Sequence, residues 1–213
     1  MKAVIFDLDG VICSTDEYHY LAWKALADRE GIYFDKVINN YLRGISRKDS
    51  LELILMNSKK KYSNEEKEEM LNYKNEVYKK LLAKLTPDNL SNDVMDTLKT
   101  LKKRGFKIAI GSSSKNAKTI LKQLNIIEMF DAIIDGTNIS KSKPDPEVFL
   151  KAAEMLNLQV TDCYVVDDAF SGIDAAKVGN FVAIGIGDAS SYDKVDYKIN
   201  ILSDLLKILN LLG

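Results

Sequence analysis

The 213-residue sequence contains only two cysteines, Cys13 and Cys163, and a single histidine, His19. Two thiols are too few for a disulfide framework or for a metal site built from thiolates. No apolar stretch approaches the length that a transmembrane helix needs, and no charged and apolar leader precedes the first apolar run. We therefore expect a cytoplasmic protein that does not bind membranes.

The sequence also lacks an excess of charge of either sign. Thirty Lys and Arg residues stand against 31 Asp and Glu residues, which gives a formal net charge of −1. This balance provides no general attraction for nucleic acid or anionic lipid. We therefore expect small-molecule partners and no nucleic-acid partner, and any anionic ligand must be held by local groups.

Short apolar runs rich in Val and Ile recur along the chain, and helical patterns separate most of them. The runs are KAVIFD from Lys2, KIAIGS from Lys107, DAIID from Asp131, CYVVDD from Cys163 and FVAIGIG from Phe181. Continuous apolar strands that alternate with helices predict an α/β fold with a doubly wound, Rossmann-like parallel sheet. Ligands of such sheets bind at the carboxyl ends of the strands.

The interval between the first two runs is far too long for a simple crossover. From Asp16 to about Leu85 its pattern is helical throughout. Ser46 and Ser63 each stand three residues before an acidic residue, which is the spacing of a helix start, and Gly31 and Gly44 are expected to end the first two helices. We predict an all-helical cap domain at residues 15–87, inserted into a core domain of residues 1–14 and 88–213.

Carboxylates follow two of the predicted strands. Asp7 and Asp9 follow the first, and their i, i+2 spacing points both side chains the same way in an extended chain. Taken alone, this D-x-D-G segment is equally well explained as a capped turn. Because Asp167 and Asp168 follow a second strand, four carboxylates are expected at one edge of the sheet, and oxygen ligands without His or Cys indicate Mg²⁺.

Two further segments have features of phosphate binding. GSSSKN, from Gly111, follows a predicted strand and opens a helix, so hydroxyl and backbone N–H groups there could receive an anion, helped by Lys115. Lys143 precedes a proline and therefore lies on a stiff loop. In isolation, GSSSKN is better explained as a Ser-rich turn and Lys143 as a surface lysine.

The order of these four features resembles the four motifs of the haloacid dehalogenase superfamily of phosphotransferases, over nearly the whole chain. The resemblance implies that Asp7 is the nucleophile that becomes an aspartyl-phosphate and that Asp9 is the general acid/base. It also implies that Ser112 and Lys143 hold the transferring phosphoryl group. The Mg²⁺ ligands that it implies are Asp7, the backbone carbonyl of Asp9, Asp167 and Asp168.

Within this superfamily, the segments FDLDGVICSTDEYHYLAWKALA, GISRKDSL and SSSKN are similar to the β-phosphoglucomutase branch. That branch interconverts β-glucose 1-phosphate and glucose 6-phosphate through β-glucose 1,6-bisphosphate, so it must hold a second, non-reacting phosphate. The resemblance implies that Thr15 and His19 position Asp9. The residues implied for the second phosphate are Arg47, Ser114, Lys115 and Asn116. Those implied for the sugar pocket are Trp23, Gly44, Ser50 and Lys74.

Two other functions remain open. The first is a Mg²⁺-dependent phosphatase of small sugar phosphates, and the second is a non-catalytic sugar-phosphate sensor with the same fold. The sequence departs from the mutase pattern at Asp167, where the mutases often have Glu, and this change shortens the ligand by one methylene. We expect the protein to be a monomer.

Overall fold

The computed structural model describes residues 1–42 and 45–211. The chain divides into two compact units. The core unit consists of Met1–Ser14 and the residues from Leu85 onward, and the helical unit consists of Thr15–Lys84. The chain thus returns to the core unit at Leu85, whereas the sequence predicts this return at residue 88.

A parallel sheet of six strands forms the centre of the core unit. The strands are β1 (Ala3–Phe6), β2 (Lys107–Gly111), β3 (Ala132–Ile134), β4 (Cys163–Asp167), β5 (Val182–Gly185) and β6 (Tyr197–Lys198), in the spatial order β3-β2-β1-β4-β5-β6. All neighbouring pairs are parallel. The predicted doubly wound α/β class is confirmed, and β6 is the strand that the sequence did not predict.

The helical unit has four helices among its described residues, and the two longest, the first and the fourth, pack along each other. The four helices are α1 (Asp16–Glu30), α2 (Lys36–Asn40), α3 (Arg47–Leu55) and α4 (Asn64–Leu82). Helix α1 packs along α4, and α3 also contacts α4. Their buried apolar faces, with Trp23, Leu26, Leu51 and Ile54 among them, form a core of their own.

The predicted helix starts of this unit are confirmed. Ser46 caps α3 by accepting a hydrogen bond from the Asp49 N–H, and Ser63 forms a capping box with Glu66 at the start of α4. Gly31 ends α1 in the left-handed conformation, at a φ of 67°. Helix α2 ends at Asn40, and Gly44, which was expected to end it, lies outside the described residues.

Five α-helices lie among the described residues of the core unit, and three of them, the first, third and fourth in chain order, contact the strands of the sheet. The five helices are α5 (Asn92–Lys103), α6 (Ala117–Gln123), α7 (Glu147–Leu156), α8 (Phe170–Val178) and α9 (Leu205–Leu211). Val148 and Phe149 of α7 and Ile173 of α8 are fully buried with the strand residues Ile5 and Val165. This apolar layer fixes the strand ends, and therefore the loops that follow them, in place.

The start of α7 differs from what its sequence suggests. Asp145 and Pro146 have the pattern of an N-cap followed by the first helical residue. In the structure Pro146 is the N-cap and Glu147 the first residue of the helix, so the prediction is wrong by one residue. Asp145 Oδ1 still accepts a hydrogen bond from the Glu147 N–H, at 3.0 Å, because an aspartate can bond the backbone two residues ahead.

Cys13 and Cys163 are both buried and carry free thiols. Among the residues that the structure describes, no helix is both long enough and apolar enough to cross a lipid bilayer.

Ser63→Ala should destabilise the helical unit. The change removes the acceptor for the Glu66 N–H at the start of the longest helix of this unit, and the loss of such a cap costs about 1 kcal/mol. Ser63→Asp keeps an acceptor at the same position and should remain close to the original protein in thermal unfolding. If Ser63→Ala and Ser63→Asp unfold at the same temperature, the capping box contributes nothing to stability.

Candidate active site

The strand order brings two of the predicted carboxylates together. The chain continues from β1 to β2 and β3 on one side of the sheet and to β4, β5 and β6 on the other. Ligands of open α/β sheets bind beyond the carboxyl ends of the strands at such a reversal. Asp7 directly follows β1, Asp167 is the last residue of β4, and the Asp7 N–H donates to the Val166 carbonyl at 2.9 Å.

The ammonium group of Lys143 lies between these two carboxylates. Lys143 Nζ donates to Asp7 Oδ1 at 2.5 Å and to Asp167 Oδ2 at 2.8 Å. All three residues are buried. The ammonium also lies 4.7 Å from the centroid of the Phe149 ring, which is within the range of a cation–π interaction. Lys143 is therefore a buried cation of the site and not a surface lysine.

One ammonium does not balance the negative charge around Asp7. Burial is the largest effect and raises the pKa of Asp7, Lys143 lowers it, and the charges of Asp167 and Asp9 raise it, so that the pKa is about 7. Burial acts to lower the pKa of Lys143, but Asp167 and Asp7 together raise it well above its ordinary value. The site thus holds Lys143 firmly charged and retains an excess of negative charge.

Two glycines allow carboxylates of the site to lie close to the backbone. Gly10, at a φ of +81°, faces Asp168 so closely that a Cβ at this position would lie 2.1 Å from Asp168 Oδ2. A Cβ on Gly172 of α8 would lie 1.9 Å from Asp167 Cγ. Asp167 Oδ1 accepts a hydrogen bond from the Ala169 N–H at 2.9 Å. The sequence indicated Gly10 through its D-x-D-G turn, but no local pattern indicated Gly172.

The donor atoms at this edge fit Mg²⁺ by their chemistry, because they are carboxylate and backbone oxygens. A cation already lies between Asp7 and Asp167, and the excess negative charge favours a second one. However, in the part of the chain that the structure describes, no three His, Cys, Asp or Glu side chains come together to hold a metal ion. Water or substrate oxygens would therefore complete the shell, and the Mg²⁺ site stays a prediction.

The serines after β2 build a tight turn. The buried Ser112 donates its N–H to the Ile134 carbonyl at 3.0 Å, and its Oγ accepts from the Ser114 N–H at 3.2 Å. Ser114 Oγ accepts in turn from the N–H of Asn116, the buried N-cap of α6. Lys115 is exposed. The turn expected from a Ser-rich segment is present, and phosphate binding by it stays a prediction.

The segment that follows β3 also contacts this turn. The Gly136 N–H donates to the Ser114 carbonyl at 3.1 Å. A Cβ on Gly136 would lie 2.3 Å from the Ser113 carbonyl oxygen, so only glycine fits between the two loops. Ser113 Oγ is buried and has no hydrogen-bond partner among the described atoms. Nothing in the sequence near Gly136 indicated its contact with a loop more than 20 residues away.

In the helical unit, four predicted site residues gather around Tyr78. The buried Lys74 Nζ lies 2.8 Å from His19 Nδ1, and 4.8 and 4.7 Å from the ring centroids of Trp23 and Tyr78. The His19 ring stacks on the Tyr78 ring at 4.1 Å, and the Tyr78 hydroxyl lies 2.7 Å from Thr15 Oγ1. Sequence reasoning missed Tyr78, although it stands one helical turn after Lys74 on α4.

The contact with Lys74 bears on the tautomer of His19. A charged Lys74 ammonium donates to His19 Nδ1, and in that pairing a neutral imidazole carries its proton on Nε2.

The other predicted residues of this unit have different surroundings. Arg47 begins α3 and is partly buried, and burial lowers its pKa. The buried Ser50 donates its hydroxyl to the Ser46 carbonyl at 3.0 Å, so this hydroxyl already has an acceptor within the helix. Gly44 lies outside the described residues.

Comparison with known proteins agrees with this geometry. The chain is 46% identical over 207 residues to the β-phosphoglucomutase of Bacillus subtilis strain 168, covering 96% of this chain and 92% of that protein. It is 28% identical over 182 residues to the phosphorylated carbohydrates phosphatase of Thermotoga maritima, covering 83% of this chain and 81% of that protein.

Its fold matches the crystal structure of a β-phosphoglucomutase from Clostridium difficile with a TM-score of 0.91 at 37% identity, covering 99% of this chain and 96% of that one. A family model described as haloacid dehalogenase-like hydrolase matches residues 1–180. The chain therefore belongs to the haloacid dehalogenase-like hydrolase family.

Proposed function

We propose that this protein is a Mg²⁺-dependent β-phosphoglucomutase that interconverts β-glucose 1-phosphate and glucose 6-phosphate. The observation that carries the phosphoryl-transfer chemistry is the buried group formed by Asp7, Lys143 and Asp167. The choice of mutase rests on the 46% identity to the B. subtilis β-phosphoglucomutase over nearly the full length of both chains.

In this proposal Asp7 attacks a phosphorus atom of β-glucose 1,6-bisphosphate, and the bond from phosphorus to the sugar oxygen breaks. Asp9 gives its proton to the leaving sugar oxygen, and glucose phosphate departs. In the other half of the cycle, Asp9 takes the proton of a sugar hydroxyl as that oxygen attacks the aspartyl-phosphate. The bisphosphate forms again and Asp7 is regenerated.

Lys143 acts on both steps of this cycle. Lys143 holds Asp7 by a hydrogen bond, and its fixed positive charge stabilises the negative charge of the transferring phosphoryl group. Asp7, the Asp9 carbonyl, Asp167 and Asp168 would hold Mg²⁺, which supplies charge neutralisation between the carboxylates and the phosphate. Ser112 is proposed to donate to the same phosphoryl group.

A mutase must also bind the phosphate that does not react. We assign this task to Arg47, because a guanidinium bonds a phosphate through two parallel N–H groups. Burial, which lowers the pKa of Arg47, makes a bound anion more favourable there. Ser114, Lys115 and Asn116 are proposed to assist on the core unit. Thr15 and His19 are proposed to position Asp9, and Trp23, Gly44, Ser50 and Lys74 to line the sugar pocket.

A phosphatase of sugar phosphates is the second candidate function. It is favoured by the 28% identity to the T. maritima phosphorylated carbohydrates phosphatase. A coupled assay with β-glucose 1-phosphate, Mg²⁺ and a trace of β-glucose 1,6-bisphosphate separates the two. The mutase produces glucose 6-phosphate well ahead of free phosphate, the phosphatase produces free phosphate alone, and a sensor produces neither. The cytoplasmic location and the monomeric state remain predictions.

Arg47→Ala should abolish isomerisation and leave the hydrolysis of a small aryl phosphate close to that of the original protein. The aryl phosphate has no second phosphate, so it does not need the guanidinium. Arg47→Lys keeps the charge but not the paired N–H groups, and should recover only part of the isomerase activity. Isomerisation that survives in Arg47→Ala would contradict the role of Arg47 in binding the second phosphate.

Removal of Mg²⁺ by a chelator should abolish both activities, and Mg²⁺ should restore them. Asp167→Asn should raise the Mg²⁺ concentration for half-maximal activity about 10-fold or more, since the loss of a group at a metal site typically has an effect of this size. Asp193→Asn, at an exposed aspartate, is the matched control. An Asp167→Asn variant with the same Mg²⁺ dependence as this control would remove Asp167 from the metal site.

Asp7→Asn should abolish turnover and stabilise the metal-free protein. The pKa of Asp7 is about 7 in the folded protein against an ordinary value of 3.8. Because the folded state binds this proton more tightly than the unfolded chain does, the original protein loses stability as the pH rises from 3.8 to about 7.

The Asp7→Asn variant does not lose stability in this way as the pH rises. In a chelating buffer its advantage in unfolding temperature should be roughly 5 °C larger at pH 8 than at pH 5. An equal advantage at both pH values would mean that Asp7 is not destabilised by burial.

A further inference from the structure

Lys143 reaches its buried position from a long loop. Residues 135–146 connect β3 to α7 without regular secondary structure. Loops are the most mobile parts of a fold unless specific contacts hold them. An ammonium that must stay within hydrogen-bond distance of two carboxylates therefore needs such contacts along its own loop.

The carboxylate of Glu147, the first residue of α7, supplies several of them. Glu147 Oε2 accepts three hydrogen bonds from the loop, namely from the Ser140 N–H at 3.0 Å, the Ser140 hydroxyl at 2.8 Å and the Lys141 N–H at 2.8 Å. Its other oxygen, Oε1, lies 2.7 Å from Lys151 Nζ. One oxygen thus ties the loop to the helix, and the other contacts a lysine of the same helix.

Lys151 continues this connection to the start of the loop. Its Nζ donates to the Asn138 carbonyl at 2.6 Å as well as contacting Glu147. The hydrogen bonds from Lys151, the Lys141 N–H and Ser140 lower the pKa of Glu147 to about 2. Glu147 is therefore ionised at every pH at which the enzyme would be assayed.

Helix α7 is a rigid support for these contacts. Val148 and Phe149, the residues that follow Glu147, are fully buried in the core. The same helix places the Phe149 ring 4.7 Å from the Lys143 ammonium. Helix α7 thus contacts both the loop that carries Lys143 and, through Phe149, the Lys143 ammonium itself.

We propose that Glu147 is a positioning residue for phosphoryl transfer, which holds the loop so that the Lys143 ammonium stays between Asp7 and Asp167. This inference rests on the proposed function, because Glu147 acts on phosphoryl transfer only through Lys143. The competing explanation is that an acidic residue in the first turn of a helix stabilises the helix alone. A purely stabilising residue changes the unfolding temperature and the amount of folded enzyme, but not kcat per folded molecule.

The test compares Glu147→Ala and Glu147→Gln in Mg²⁺-dependent hydrolysis of p-nitrophenyl phosphate. Glu147→Ala should lose about 10²-fold in kcat, because a misplacement of about 1 Å at a reacting group has an effect of this size. KM should change little, since the group that binds the aryl phosphate is still present. Glu147→Gln keeps an acceptor for the Ser140 and Lys141 N–H groups and should recover most of the loss.

The matched control is Glu154→Ala, which removes an exposed carboxylate from the same helix and should behave like the original protein. If Glu147→Ala does not fold, Lys151→Met tests the same connection from its other end, with an expected kcat loss of roughly 10-fold. Thermal unfolding is measured for every variant. The inference is wrong if the folded Glu147 or Lys151 variants lower the unfolding temperature but keep the original kcat.

Failure of the phosphoryl-transfer chemistry that both candidate functions share gives a different result. In that case the original protein itself hydrolyses neither p-nitrophenyl phosphate nor sugar phosphates, whatever stands at position 147. An active original protein with an equally active, folded Glu147→Ala variant contradicts the positioning role and leaves the phosphoryl-transfer chemistry intact.

Discussion

The shared hydrogen bonds of Lys143 are the interaction on which the rest of the site depends. One ammonium serves Asp7 at the end of β1 and Asp167 at the end of β4, so it joins the two strands at which the sheet order reverses. Removing the ammonium from this buried group would leave two carboxylates uncompensated in the interior, which is far costlier than the loss of a surface ion pair. The glycines at positions 10 and 172 follow from the same constraint, since any larger residue would collide with a carboxylate of the site.

The sequence predicted those parts of the fold that have a local cause. Apolar runs rich in β-branched residues marked five strands, and the serine caps marked the helix starts, because both signals lie within a few residues of the element they define. Strand β6 was missed because only Tyr197 and Lys198 form it and one of them is exposed. Helix α7 starts one residue later than expected, since Asp145 bonds the backbone from outside the helix.

The arrangement of the site was predictable only where a strand end fixes it. Asp7 and Asp167 follow from the rule that parallel strands end at one edge, but the ammonium between them comes from a loop 136 residues away from Asp7 in sequence. The pairing of Lys74 with His19 spans 55 residues and has no local signal. Tyr78, which stacks on His19 and bonds Thr15, carries no chemistry that a motif search selects. Such contacts depend on how the elements pack, which a single sequence does not reveal.

The two units bury their charges in opposite ways. The core unit gathers carboxylates around one cation and keeps an excess of negative charge, which a divalent cation and the chemistry of an attacking carboxylate both exploit. The helical unit instead buries Lys74 against the rings of Trp23 and Tyr78 and within hydrogen-bond distance of His19 Nδ1, and aromatic faces stabilise a cation. A phosphorylated sugar needs cations for its phosphates and a carboxylate for the covalent step. The buried group of the core unit, with the Lys143 ammonium and the Asp7 carboxylate, contains both kinds of charge.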